Sequence, residues 1–518
     1  AVAKIVYKKY PDKYMCGYIY ADYLYPPKDK SIKLSPNLFL VVASSLTYGY
    51  TYFRPEIQKK WDFIMRSWSS MTQNIAYYDL PMHSSVNNGA PLAPGIEQLE
   101  TMFPKLKKFK VKALYIYGDS EWGHAVVYNY LLAKLMWNAN LDVDKHLGEY
   151  YTECYGAGGA DIRKMYELID AKMKAYYLEN KASYTLTKDI LRKVYVANLK
   201  EIDSLYFAAL DTDVKGSQRR RLEMLGDNLK VMHYLGKAYG LISKNDASKL
   251  AMTDKAFKAF AKERKNAFYL PVVGADGGLT VKKVRNVAVK LHKKPENAEK
   301  TKTYYLRDGA EIVMQAQNDN VIEVRFSKVT IRGNMINYLV VNSTGKKIIS
   351  GVVAKNEKIR FNGKNGEVYH MFIKTRSSSY ALSFSNIPYA IFAGKDKKHS
   401  RGLHFLGRTT PLYFYVGNNV KEFSIVMNSS SNPGSKTGGE TAKGELYDPN
   451  GKLVETLSTV PVTVDVKKIK KPISGVWKYN ITKAEKGVLD DVFVSISGKS
   501  VSGFVSPDPA KILSVDVE

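Results

Sequence analysis

Cysteine is the scarcest informative residue in this chain, and its scarcity excludes two classes of protein. Only Cys16 and Cys154 occur among 518 residues, too few for a disulfide-rich scaffold or a cysteine-rich zinc site. One bridge between them stays open, and we expect two buried free thiols. The sequence also lacks a signal peptide and any apolar run of about 18–20 residues, the length that spans a bilayer. Because the chain starts at Ala1 inside a helical pattern, we expect residues to precede it.

Acidic residues are outnumbered, and the imbalance constrains the partners. The 78 Lys and Arg against 50 Asp and Glu give a formal net charge of +28. Such a charge favours polyanions such as nucleic acid, anionic membranes or acidic and sulfated polysaccharide. A solvated lysine-rich surface is the alternative. The lysines are spread along the chain, and no nucleic-acid-binding motif occurs, so we expect no specific nucleic-acid partner.

Several catalytic and cofactor motifs are also missing. The chain has no H-E-x-x-H, Walker A, dinucleotide-binding or G-x-S-x-G motif, and we expect neither a metal nor a cofactor. The glycine-rich segments GAGGAD (156–161) and GADGG (274–278) do not follow a strand. We interpret both as turns, the first as the cap of a helix that ends at Tyr155.

Strand and helix patterns alternate through the first 140 residues. Predicted strands cover 14–23, 38–45, 74–81 and 111–123, and predicted helices cover 55–72, 96–110 (interrupted at Pro104) and 124–140. This alternation predicts βαβ units in a parallel sheet. Four strands cannot close a barrel, which needs eight. The chain therefore contains either an open four-stranded sheet or the second half of a barrel.

The pattern changes twice more along the chain. Apolar residues at helical spacing predict a helical segment, and β-branched alternation from about residue 272 predicts sandwich domains. The predicted fold class is multidomain α/β plus all-β. We expect the C-terminal half of a TIM-type (β/α)8 barrel at 1–142, a helical segment packed on it at 143–270, and β-sandwiches at 272–385 and 386–518.

Several segments of the chain resemble a known family. The first part of the chain is similar to the C-terminal half of an uncharacterised bacterial domain family that is related to family 20 and family 67 glycoside hydrolases. The segments that carry this similarity are WDFIMRSW, NIAYYDLP, ALYIYGDSEWG and LLAKLMWNANLDVD followed by EYYTECYG. The resemblance covers about residues 1–180 and implies that the four strands are numbers five to eight of a barrel. Near the C-terminus, PLYFYVGNNVKEFSI and GVWKYNI resemble β-sandwich modules appended to secreted glycosidases.

Barrel enzymes place their working residues at the C-terminal ends of strands, which selects a set of candidates. The predicted substrate-binding residues are Asp22, Tyr78, Asp79, Asp119, Glu121 and Trp122. Glycosidases use two nearby carboxyl groups, and Asp79 and Glu121 end adjacent predicted strands. Each could equally cap a helix or accept a hydrogen bond from a sugar hydroxyl. The resemblance implies that the main acid/base pair lies upstream of Ala1, so the catalytic residues stay unassigned.

Aromatic residues concentrate at the same strand ends. Tyr20, Tyr23, Tyr77, Tyr78, Tyr117 and Trp122 fall there, and sugar rings stack on exposed aromatic rings. Ordinary β-propensity explains any single tyrosine equally well. His83 and His124 lie near the same predicted face.

Two functions follow from these patterns. The first is a secreted, carbohydrate-active protein that resembles a glycoside hydrolase and acts on or binds acidic polysaccharide through paired carboxylates. The second is a non-catalytic extracellular matrix or surface-layer protein that keeps the barrel fold for binding or assembly. Under either function, an N-terminal fragment or a second chain is a candidate partner that completes the barrel.

Overall fold

The protein divides into two compact units, Ala1–Val272 and Val273–Glu518. The computed structural model describes residues 2–517 except 21–22, 28, 30, 79, 81–91, 93–94, 117–124, 181–186, 244–247, 265–283, 297, 331–335, 354–355, 376–377, 386, 396–400 and 430–438. The first unit is mixed α/β and the second is rich in β-strands. Among the described residues, no helix is long and apolar enough to cross a membrane.

The first unit alternates strands with helices and then becomes helical. Its strands are β1 (Met15–Ile19), β2 (Leu38–Ala43), β3 (Ile75–Tyr78) and β4 (Ala113–Leu114). Its helices are α1 (Val2–Lys9), α2 (Pro55–Met71), α3 (Ile96–Lys108), α4 (Val126–Trp137), α5 (Val143–Tyr155), α6 (Gly159–Asn180), α7 (Leu199–Leu210), α8 (Gly216–Ala238) and α9 (Asp254–Glu263). Short helical turns at Lys188–Ile190, Leu191–Tyr195 and Val196–Asn198 lead into α7.

The four strands form one parallel sheet in the order β1-β2-β3-β4. This confirms the parallel pairing that the alternating pattern predicts. The helix predicted at 96–110 runs through Pro104 without ending there. Proline removes one backbone hydrogen bond, but buried side chains hold the helix in place on either side of it, Leu99 and Phe103 before Pro104 and Leu106 after it.

A hydrogen-bonded aromatic contact fastens α2 to the sheet. The fully buried indole of Trp61 donates from Nε1 to the Tyr77 hydroxyl at 2.9 Å, and Thr47 Oγ1 lies 2.6 Å from the same oxygen. The Trp61 ring also meets the Tyr52 and Phe109 rings edge-on. Buried polar atoms need such partners, because a buried polar atom without a hydrogen bond lowers the stability of the fold by about 1–3 kcal/mol.

Tyrosine dominates the helical core of the first unit. The buried tyrosines of α5 and α6 are Tyr150, Tyr151, Tyr155, Tyr166, Tyr176 and Tyr177. Much of the tyrosine content therefore fills the core instead of an exposed site. The first half of GAGGAD is the predicted connection after α5, which ends at Tyr155 before Gly156 at φ +58°, whereas Gly159, Ala160 and Asp161 already belong to α6.

Both cysteines are free thiols, which answers the question the sequence leaves open. Cys16 is exposed and Cys154 is half-buried. The expectation that both are buried is therefore wrong. Cys16 belongs to the alternating side chains of β1 that face away from the core, and β-strand periodicity exposes it.

The second unit consists of strands. They are β5 (Val287–His292), β6 (Leu306–Arg307), β7 (Ala310–Gln315), β8 (Val321–Thr330), β9 (Asn337–Asn342), β10 (Lys347–Val352), β11 (Lys358–Asn362), β12 (Val368–Lys374), β13 (Ser379–Phe384), β14 (Tyr389–Phe392), β15 (Leu403–Leu406), β16 (Leu412–Val416), β17 (Glu422–Ser429), β18 (Lys443–Tyr447), β19 (Leu453–Ser458), β20 (Val464–Lys470), β21 (Gly475–Thr482), β22 (Asp491–Ser497), β23 (Phe504–Val505) and β24 (Ile512–Val517). Antiparallel pairing of these strands gives the β-rich second half that the alternation predicts.

The sheet with the most strands, eight, contains strands from both predicted sandwiches. Its order is β11-β8-β13-β6-β15-β22-β17-β20, so four strands from before residue 385 continue into four from after it. The join is the pairing of Leu306 with Phe405. A six-stranded sheet (β10-β9-β12-β7-β14-β23) and a four-stranded sheet (β16-β21-β18-β19) share its core, while β5 pairs with β24. The boundary predicted near residue 385 therefore runs through shared hydrogen bonds and a shared core.

One buried histidine lies on the other face of the six-stranded sheet. His370 of β12 is fully buried between Val313 and Val341 on the neighbouring strands. Neither of its ring nitrogens has a hydrogen-bond partner among the described residues. Burial, with a smaller effect from the Arg285 charge, lowers the pKa of His370 to about 4. The ring is therefore neutral in the folded protein at neutral pH.

The Tyr77 hydroxyl gives a first test of this packing. Tyr77→Phe should lower the free energy of unfolding of the first unit by about 1–3 kcal/mol, because Trp61 Nε1 loses its buried partner. Urea unfolding followed by circular dichroism measures the change. Tyr115→Phe removes a tyrosine hydroxyl from a residue that is 55% exposed and should change stability little. Equal stability of all three proteins would contradict the assignment.

His370 gives a test with a defined sign. Its folded pKa of about 4 lies below the ordinary value of about 6.5, so the unfolded chain binds this proton more readily. The titration of His370 therefore has no effect on stability above about pH 6.5 and destabilises the fold progressively as pH falls towards 4, by at most about 3 kcal/mol. His370→Leu should lose less stability than the wild type over this range. Parallel pH profiles of the two unfolding free energies would contradict the prediction.

Candidate functional site

The two faces of the parallel sheet have different roles. Ile19, Val42, Tyr77 and Leu114 are in register across the four strands, and Tyr77 faces α2 through its contact with Trp61. Successive side chains of a strand point to opposite faces. Tyr78 therefore lies on the face that points away from Trp61, which we call the open face.

Three tyrosines from three strand segments line up on the open face. Tyr78 stacks on Tyr115 with 5.1 Å between ring centroids and an interplanar angle of 24°. Tyr18 meets Tyr78 edge-on at 6.3 Å. Tyr18 and Tyr115 are 59% and 55% exposed, and Tyr78 is half-buried between them. We call Tyr18, Tyr78 and Tyr115 the tyrosine row.

The row lies near the C-terminal edge of the sheet. Tyr78 is the last residue of β3, and Tyr115 directly follows β4. Tyr20 follows β1 two residues after Tyr18 and is 60% exposed, so strand alternation places it beside the row. Aromatic rings that stay half-exposed and in contact with each other form a flat apolar surface edged by hydroxyl groups. Such a surface can stack against the C–H face of a sugar and hydrogen-bond its hydroxyls.

Of the six predicted site residues, the structure places Tyr78 on the open face. Asp22, Asp79, Asp119, Glu121 and Trp122 lie outside the described residues, as do Tyr117, His83 and His124. Their roles stay predictions.

Among the other predicted aromatics, Tyr77 lies on the helix-covered face, while Tyr20 and Tyr23 are exposed. Sequence reasoning missed Tyr18 and Tyr115. The two-residue alternation of a strand indicates both, since Tyr18 lies two residues before Tyr20 and Tyr115 two residues before Tyr117.

A serine, a histidine and an aspartate also meet in the helical region. Nε2 of His233 lies 2.8 Å from Asp203 Oδ2 and 3.4 Å from Ser248 Oγ. A catalytic relay needs the acid on one ring nitrogen and the nucleophile on the other. Here the same nitrogen meets both, and His233 is buried. The cluster is therefore a structural contact between α7, α8 and the segment before α9.

The second unit contains an ionic network around His404. Its Nδ1 lies 2.9 Å from Asp308 and its Nε2 lies 2.8 Å from Asp491, which also accepts two hydrogen bonds from Arg307. Burial lowers the pKa of His404, but the two carboxylates outweigh it and raise the pKa above its ordinary value. With carboxylates on both ring nitrogens, His404 has none left to exchange a proton with a substrate. The network joins strands β15 and β22 to the residues around β6.

The described part of the chain contains no group of three or more His, Cys, Asp or Glu side chains that could hold a metal ion. The tyrosine row is therefore the arrangement among the described residues of the sheet edge with the clearest capacity to bind a ligand.

Comparison with known families finds a match to the region that contains the row. Residues 1–167 match a family described as Domain of unknown function (DUF4838). The match includes the whole parallel sheet and helices α1 to α5. No curated protein matches the chain.

Solved structures give much weaker similarity. The insecticidal delta-endotoxin Cry8Ea1 of Bacillus thuringiensis is 7% identical over 82% of this chain and 96% of its own, with a TM-score of 0.15. The N-terminal CBM22-1-CBM22-2 tandem domain of Xyn10C from Paenibacillus barcinonensis is 10% identical over 43% of this chain and 90% of its own, with a TM-score of 0.08. Neither value indicates a shared fold.

Proposed function

We propose that the first unit is the C-terminal half of a β/α barrel of glycoside-hydrolase type and that its open face binds carbohydrate. The protein would act on, or bind, an acidic polysaccharide outside the cell. The observation that carries the proposal is the tyrosine row, three contacting rings at the C-terminal edge of a parallel sheet. Barrel proteins bind their ligands at this edge.

The arrangement of the sheet supports the half-barrel. Its strands follow one another in parallel order, α2 covers one face, and exposed tyrosines line the other. In a closed barrel the second face points inward. Helix α1 has no buried residue, and Val2 and Ile5 are more than 60% exposed. A preceding segment or a second chain that supplies the other strands would cover both α1 and the free edge of β1.

Two carboxylates would complete the sugar site. Asp79 directly follows β3, and Glu121 follows β4, its neighbour in the sheet. Adjacent strands lie about 4.8 Å apart, so side chains beyond their ends can reach the separation of about 5–10 Å that glycosidases use. We propose that Asp79 and Glu121 line the site beside Tyr78, with Asp22, Asp119 and Trp122 contributing further contacts. The main acid/base pair would lie on the preceding strands.

The charge of the protein supports an acidic polysaccharide as the ligand. In the second unit, a shallow groove of about 730 Å³ is lined by Lys421, Lys470 and Lys471 together with Asn418, Asn419 and the carboxylate of Glu422, which is paired with Lys468. The three lysines are exposed and form no ion pair with the described residues. Ammonium and amide groups donate hydrogen bonds to the sulfate and carboxylate groups of such polymers.

The tyrosine row gives the test of this proposal. Tyr18→Ala and Tyr115→Ala should each weaken polysaccharide binding about tenfold, because each removes an exposed stacking ring. Isothermal titration against neutral, carboxylated and sulfated polysaccharides measures the affinity. Tyr10→Ala, which removes an exposed tyrosine at the end of α1, is the matched control and should bind like the wild type. Equal binding by all four proteins, or none by the wild type, would contradict the proposal.

Asp79 and Glu121 separate the enzyme from the non-catalytic alternative. Asp79→Ala and Glu121→Ala should lose polysaccharide binding with an unchanged thermal unfolding midpoint, because each removes a carboxylate that the proposal assigns to the ligand and not to the core. Release of reducing ends by the wild type would support a glycosidase. Binding without such release would favour the matrix or surface-layer protein, which needs the same site without turnover. If both variants bind the polysaccharide with the affinity of the wild type, Asp79 and Glu121 do not take part in binding.

A further inference from the structure

A small cavity lies between α3, α5 and α6. Its volume is about 240 Å³. Pockets for drug-sized ligands have volumes of about 300–1,000 Å³, so this cavity suits only a small molecule. Ile96, Val143 and Leu147 provide an aliphatic wall.

The lining of this cavity is acidic in a strongly basic protein. Five carboxylates line it, from Glu97, Glu100, Asp144, Glu167 and Asp170, against the single guanidinium of Arg163. The whole chain has the opposite balance, with a net charge of +28. The local excess of negative charge favours a cation in the cavity.

Cations of the protein neutralise part of this charge. Arg163 bridges Asp144 at 2.6 Å and Glu167 at 2.7 Å, and Lys174 pairs with Glu97. Glu100 and Asp170 form no ion pair with any described residue. Partial burial, followed by repulsion from Asp144 and Glu97, raises the pKa of Glu100.

Two buried oxygens of the lining lack partners. Asp170 is 6% exposed, and its Oδ2 accepts a hydrogen bond from the Glu97 backbone N–H at 3.1 Å. Its Oδ1 has no hydrogen-bond partner among the described residues, and neither has the hydroxyl of Tyr151, which is 2% exposed. Burial raises the pKa of Asp170 to about 7, although backbone N–H groups oppose the shift. An unmet buried oxygen is costly, and a ligand that donates hydrogen bonds would remove that cost.

We propose that this cavity binds a small aliphatic amine. Its ammonium group donates to the carboxylates of Glu100 and Asp170, and its methylene groups pack on Ile96, Val143 and Leu147. An ammonium has three donors and no acceptor, which matches a lining of acceptors. A metal ion fits less well, because no three of these carboxylates, nor any other group of three His, Cys, Asp or Glu among the described residues, are arranged so that they could hold one. This site is independent of the proposed carbohydrate site.

The experiment is titration of the full chain with 1,4-diaminobutane at millimolar concentration, followed calorimetrically at low ionic strength. Glu100→Gln and Asp170→Asn should each weaken binding about tenfold, because each removes one charged acceptor. Glu153→Gln removes the same charge from an exposed residue of α5 outside the cavity, and its affinity should stay within about twofold of the wild type.

Each outcome decides the proposal. No saturable binding by the wild type, or equal losses in Glu100→Gln and Glu153→Gln, would overturn it. Saturable binding of calcium chloride in place of the diamine would overturn it as well. Asp170 also accepts the backbone N–H at the start of α3, so Asp170→Asn is interpreted only with an unchanged unfolding midpoint. Glu100 lies at the exposed surface of α3 with its carboxyl group only partly buried at the cavity, so Glu100→Gln decides the matter if Asp170→Asn does not fold.

Discussion

Tyr77 and Tyr78 are adjacent in the chain and point to opposite faces of the parallel sheet. Tyr77 takes the Trp61 hydrogen bond and fixes α2 against one face, and Tyr78 is thereby directed to the other. The rings of Tyr18 and Tyr115 contact Tyr78 on that face. The position of the candidate binding surface therefore depends on a buried contact on the opposite face. A one-residue shift of β3 would exchange the two roles.

The second unit depends on a different constraint, the continuity of one sheet. The eight-stranded sheet has β11 at one edge and β20 at the other, and the pairing of Leu306 with Phe405 joins its two groups of four strands. Side chains from both groups enter the same core. Strands from before and after residue 385 share hydrogen bonds and bury apolar side chains against each other, so the two groups stabilise each other. The sheet thus explains why this half of the chain is one compact unit.

Much of the fold could be predicted from local pattern, and much of the site could not. Apolar runs such as LFLVVA and IAYY mark β2 and β3 because buried parallel strands need them. The same patterns could not separate Tyr77 from Tyr78, since burial depends on which face receives α2. The rule that selects residues at strand ends does not select Tyr18 for a related reason, because its contact with Tyr78 forms within β1. The cavity between α3, α5 and α6 was also beyond local reasoning, because its carboxylates are far apart in the sequence.

By itself, the sequence determined the strand and helix order, the parallel first sheet, the β-rich second half and the excess of positive charge. These properties follow from periodicity and composition, which act over short stretches of chain. Only the tertiary structure decided which tyrosines are exposed, that Cys16 and Cys154 are free, that strands pair across residue 385 and that five carboxylates share one cavity. Each of these depends on residues distant in the chain coming together, and long-range packing alone sets those distances.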